Sequence, residues 1–191
     1  AALLLALGGE TSYLYGLEPD DVFQEAEGRP CNSWGNLMLF QFVEGQQVRP
    51  MATYHVAQML TKHWVQPGNG RHTVYAATCD LRTAADQPMV TAYAVRRPDG
   101  RLAVLLLNKD PRRPVTVRLA RTRGGRAQHP VTGPLSLFQF SPLQWNWVAH
   151  PRGESYPDRA LPPYRSTVDE GRAIVLPPYS VTVARTAEPI R

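Results

Sequence analysis

Lysine is nearly absent from this chain, with only Lys62 and Lys109 in 191 residues. The net charge of +5 and the pI near 9.5 therefore rest on arginine, scattered except for the pairs Arg96-Arg97 and Arg112-Arg113. No segment with helical periodicity carries a basic stripe, so nucleic acid is not expected as a partner. Cysteine is just as sparse. Cys31 and Cys79 permit one bridge, but neither stands in a C-x-x-C pair, so a disulfide framework, a zinc centre and a redox motif are all unexpected. No apolar run has the length of a membrane span, and no membrane partner is expected. There is no G-x-S-x-G elbow and no glycine-rich phosphate loop, which leaves no cofactor implied. Nothing in these absences reads out a compartment.

What the chain does have is apolar mass and proline. Apolar residues make up 43% of it, enough for a substantial core, and its 18 prolines cluster between the apolar runs. That combination favours a mainly β body with many turns. The opening "AALLLALGGE" reads as the end of a buried helix stopped by Gly8-Gly9, as though the chain starts inside a folded unit. "TSYLYGLEP" follows as a short strand, with Tyr13 and Tyr15 on one face. A polar loop then runs from Glu18 to about Ser33 and carries Glu18, Asp20, Asp21, Glu25 and Glu27. After the apolar stretch "NLMLFQFV", the segment "RPMATYHVAQMLTKHW" predicts a helix over about 51–64. Tyr54, Ala57, Leu60 and Trp64 are its expected buried face.

Beyond Gly70 the signal is almost wholly β. "HTVYAATCDL" predicts a strand. "MVTAYAVRRPDGRLAVLLLNKD" predicts a hairpin turning at Pro98, Asp99 and Gly100. "RPVTVRLA", "LSLFQFS", "QWNWV" and the closing "IVLPPYSVTVAR" add short strands at the spacing of a β-sandwich. A Pro/Arg-rich loop is expected from about Ala149 to Arg165. Val104, Leu105 or Leu106, Val117, Val175 and Val181 are expected to point inward. Pro177-Pro178 breaks any central strand, so it suits a crossing between sheets or an edge, although an ordinary strand-turn-strand fits as well.

Three stretches together resemble the C-terminal part of a retaining glycoside hydrolase of the β-xylosidase and α-L-iduronidase type. "WGNLMLFQFVEGQQVRPMATYHVAQMLTKHW" (Trp34 to Trp64) resembles the segment that closes the (β/α)8 barrel. "VTAYAVRRPDGRLAVLLLNKD" (Val90 to Asp110) resembles the hairpin of the accessory sandwich, and "IVLPPYSVTVAR" resembles its closing tail. The resemblance implies an antiparallel β-sandwich over 67–191, preceded over 1–66 by a terminal βα unit of a TIM-type barrel, the two packed together. It implies a carbohydrate substrate, and a partner in the remainder of the barrel, supplied upstream or by another chain.

The reaction needs two carboxylates at a fixed separation, at the ends of barrel strands. The acid/base of such enzymes usually stands in an Asn-Glu pair, and this sequence contains none. If Thr11 to Tyr15 is the eighth strand, both catalytic groups lie upstream of residue 1, and no catalytic residue is assigned here. Glu10 beside that strand is a turn residue rather than an acid catalyst, since one carboxylate cannot run the reaction.

Tyr13, Tyr15, Trp34 and Asn36 are the candidate sugar-binding residues. Aromatic faces stack on sugar rings and amides bond hydroxyls, against an alternative of plain core packing. His55 and His63 lack an acid at i+3 or i+4 and are not expected to hold a metal. Trp145 and Trp147 alternate along one strand. They are read as core, with the rival of an exposed sugar platform in a non-catalytic carbohydrate-binding module. A structural assembly domain is the other rival.

Overall fold

In the computed structural model the described residues are 39–43, 47–123, 126–148 and 156–190. The chain is mainly β, and among the described residues the sheets are antiparallel and there is one short helix. Strand β1 (Phe40–Val43) turns back on β2 (Gln47–Pro50), with Phe40 opposite Pro50. Helix α1 (Ala52–Gln58) follows at once and continues as a π-helical turn over Met59–Trp64. Then come β3 (Thr73–Tyr75), β4 (Val90–Arg96), β5 (Leu102–Asn108), β6 (Val115–Val117), β7 (Ala120–Arg123) and β8 (Arg126–Pro130). The remaining strands are β9 (Leu135–Phe140), β10 (Trp145–Val148), β11 (Tyr156–Ala160), β12 (Tyr164–Val168), β13 (Ile174–Leu176) and β14 (Ser180–Thr186).

A six-stranded sheet in the order β12-β9-β14-β5-β4-β3 forms the central layer. On one face the β6–β13 pair covers it. Ile174, Leu176 and Val115 meet Val90, Ala94, Leu102, Val104, Leu106, Leu137 and Ala184 there. On the other face the helix covers it, with Met59 and Trp64 against Val95, Ala103, Leu105, Phe138, Phe140 and Val183. Both faces are therefore dry, which explains why β5 reads as the unbroken apolar run "LAVLLL" instead of alternating. The helix shares a core with the sheet.

The hairpin β4–β5 turns where expected. Gly100 takes φ +77° and donates to Arg97 O at 2.9 Å, while Asp99 Oδ1 accepts from Arg101 N. Side chains avoid that backbone conformation, and a Cβ on Gly100 would stand 2.9 Å from Pro189 Cβ. The prolines near the end also find their reason. β13 pairs with β6, whereas β14 lies between β5 and β9, so Pro177-Pro178 carries the chain from one sheet to the other. Asn108 Nδ2 holds the crossing by donating to Arg113 O, Leu176 O and Pro177 O at 3.1, 3.3 and 2.8 Å.

Some expectations need correction. Val175 is 56% exposed, because on a three-residue strand whose ends Ile174 and Leu176 face the sheet the middle residue faces away. The strand expected from His72 shrinks to Thr73–Tyr75. The supposed loop 149–165 contains β11 and the start of β12. On the helix, Met59 is fully buried and His55 buried, while Tyr54, Ala57 and Leu60 are half-buried. The π turn, marked by Val65 N on Leu60 O, shifts the inward face by about one residue. The helix end Ala1–Leu7 and the barrel strand Thr11–Tyr15 lie outside the described residues, and no TIM barrel is shown in this chain.

Candidate functional site

Tyr13, Tyr15, Trp34 and Asn36, the candidate sugar-binding residues, all lie outside the described residues. Three other places gather chemistry-bearing side chains. The first is an aromatic cluster at the start of the helix. Tyr54 sits 4.8 Å from Phe40, and His55 lies against Phe140 at 5.4 Å and edge-on to Trp145 at 6.2 Å. Trp145 and Trp147 pack on buried Met51, although a bulge interrupts β10 between Asn146 and Trp147. Both tryptophans are half-buried by that packing and do not form an open platform. Two buried atoms in this part of the fold have no hydrogen-bond partner, Gln41 Oε1 and His55 Nδ1. Burial lowers the His55 pKa and keeps the ring neutral.

The second is a cationic face on the helix side of the sheet. His63, at the end of the π turn, stacks on Phe138 with centroids 3.8 Å apart and planes 11° from parallel. Arg165 on β12 and Arg185 on β14 hold their guanidiniums 5.5 and 5.4 Å from the same ring. The pleat puts them there: Arg165 is the cross-strand partner of Phe138, and Arg185 follows Val183, its other partner, by two residues. Arg97 lies beneath and donates from Nη1 to His63 O at 2.9 Å. Burial first, then the charges of Arg165, Arg185, Arg97 and Lys62, push the His63 pKa down to about 4. Asp99 is the single carboxylate here among the described residues, 3.5 Å from Arg97 Nε and 4.0 Å from Arg101 Nη1. Sequence reading missed this cluster because its members come from five distant segments. The signal available was parity, since Arg185 shares the apolar face of Val181 and Val183.

The third is a shallow depression of about 200 Å³ floored by Leu119, Val131 and Leu135 and edged by Arg118 and Arg172. It has no acid or nucleophile in its lining.

The described carboxylates do structural work where their roles are visible. Asp110 accepts from Arg112 N, Arg113 N and Arg113 Nε, and these bonds hold its pKa below the usual range. Asp158 accepts from Asn146 Nδ2. Among the described residues no three His, Cys, Asp or Glu side chains gather as a metal site. Cys79 is a free thiol.

No protein-family model and no curated protein sequence matches the chain. Solved structures similar to it include a thermostable GH51 α-L-arabinofuranosidase from Thermotoga petrophila. It superposes with a TM-score of 0.48 at 11% identity, over 78% of this chain and 31% of its own. The GH51 arabinofuranosidase of Xanthomonas axonopodis gives a TM-score of 0.48 at 17% identity, over 78% of this chain and 28% of its own. The α-L-arabinofuranosidase of Thermotoga maritima, in complex with arabinose, gives 0.46 at 12% identity, with coverage of 78% and 31%. The chain thus spans roughly 30% of the length of these structures. Likeness at this level says nothing about activity.

Proposed function

We propose that this chain is the C-terminal segment of a retaining glycoside hydrolase of the β-xylosidase and α-L-iduronidase type. In this reading it supplies one wall of the sugar cleft and a stabilising β-sandwich, and the catalytic carboxylates come from an upstream segment or a partner chain. The observation that carries the reading is the agreement of motif and position. The two stretches that resemble the accessory sandwich, Val90–Asp110 and Ile174–Arg185, form β4, β5 and β14 of the six-stranded sheet and β13 of the pair that covers it. The stretch that resembles the barrel's closing helix lies on that sheet through Met59 and Trp64. Docking a helix on the sandwich in this way is what an appendage fixed to a barrel requires.

The chemistry follows from what the segment lacks. A retaining glycosidase uses an acid and a nucleophile held about 5–5.5 Å apart. The described carboxylates with visible partners are a turn residue, a loop anchor and an amide acceptor, each with a structural role already assigned. Tyr15 and Trp34 are proposed to line the region beside the reacting sugar. The test has two arms on aryl glycosides. The purified chain is expected to give no turnover, and the chain with its upstream segment is expected to give turnover. Hydrolysis by the 191-residue chain alone would overturn the missing-carboxylate argument.

A further inference from the structure

We propose that the face over Phe138 bounded by His63, Arg165 and Arg185 is an oxyanion-binding site that takes one carboxylate or phosphate group between the two guanidiniums. The site does not depend on the proposed function.

Charge balance is the first ground. Arg97, Arg165, Arg185 and Lys62 all act on His63 at the end of the helix, Arg101 adds its charge to Arg97 and Arg185, and among the described residues Asp99 is the carboxylate that opposes them. Asp99 is already shared between Arg97 and Arg101. Among the described residues neither Arg165 nor Arg185 has a carboxylate within ion-pair distance. Arg185 is half-buried, and its pKa is lowered by that burial and by the charges of Arg97 and Arg101, which outweigh the opposing charge of Asp99. A cation partly withdrawn from water among more positive than negative charge is costly, and the cost falls when an anion enters.

Geometry is the second ground. Both guanidiniums lie within cation–π distance of one aromatic ring, 5.5 and 5.4 Å from its centroid, which ties their positions together. Planar guanidinium donors suit two oxygens of a single oxyanion, and among the described residues the forks of Arg165 and Arg185 have no hydrogen-bond acceptor. His63, stacked on the same ring, stands at the edge of the site and reports on it, because an anion there favours its protonated form.

The experiment follows the His63 ring by NMR in the full chain, titrated with inorganic phosphate, with acetate, and with chloride at matched ionic strength. Phosphate or acetate is expected to give a saturable shift of the His63 signals, and to raise the His63 pKa from about 4 by roughly a unit or more. Saturation by both identifies the general oxyanion site. Saturation by one alone narrows it to that chemistry. Arg165→Gln, at an exposed position on an edge strand, leaves the fold intact and should weaken binding about tenfold. In Arg165→Gln with Arg185→Gln the His63 pKa rises without any added anion, and the anion-dependent increment disappears. A response that is linear, equal in chloride, or unchanged in the double variant would mean plain ionic screening and would overturn the proposal.

Discussion

Asn108 shows how one side chain can set a topology. Its amide nitrogen faces three backbone carbonyls from two segments, and its Oδ1 accepts from Asp110 N. Asn108→Asp would put a carboxylate oxygen against those carbonyls. It is expected to cost on the order of 2–4 kcal/mol in chemical denaturation, more than Asn108→Ser. His63 supplies a pH dependence whose sign is fixed. Its folded pKa of about 4 lies below the unfolded 6.5, so the unfolded chain binds the extra proton between those values. The contribution is therefore fully present above about 6.5, is lost as the pH falls towards 4, and changes little below that. The ring is half-exposed, and after solvent screening the effect should be about 1 kcal/mol. His63→Phe keeps the stack and removes the proton site. A melting profile from pH 4 to 7 should lose that part of its slope in the variant.

Among the elements, the helix decides which side chains matter. The π turn brings Met59 into the sheet face with no exposure and leaves Leu60 half-buried beside it. Met59→Ala should cost about 2–5 kcal/mol and Leu60→Ala clearly less, read by urea unfolding. Equal losses would mean that the helix turns a different face to the sheet. The strands should also separate by local stability. β5 and β14 are internal to the six-stranded sheet, whereas β10–β11 and β7–β8 form two-stranded pairs. Amide exchange is expected to be slowest in β5 and β14 and faster by orders of magnitude in the two pairs.

At the scale of the whole molecule, the described residues stack in three layers: the β6–β13 pair, the six-stranded sheet and the helix. The helix joins the sheet through Met59, Trp64 and the Trp64 Nε1 bond to Tyr93 O, so whatever packs on the helix is held by the sandwich. In the proposed assembly with its upstream part, Trp34→Ala is expected to lower kcat/KM on aryl glycosides while the fold survives. Unchanged kinetics would remove that loop from the cleft.

By itself the sequence determined the mainly β class, the helix near 51–64, the hairpin at Asp99-Gly100 and a strand break at Pro177-Pro178, while the pairing of β13 with β6 and of β14 with β5 and β9 decided that this break is a change of sheet. Each is a local matter: periodicity, turn chemistry and the missing proline N–H act within a few residues. It could not decide which faces are buried. The run Leu102 to Leu107 looks the same whether one side or both are covered, and Val175 has the composition of a core residue yet faces water. Nor could it bring His63, Phe138, Arg165 and Arg185 together, because that depends on the register of β9 with β12 and β14 and on where the π turn sets the helix end. Register and docking are fixed by contacts between segments far apart in the chain, and such contacts exist only once the tertiary structure has formed.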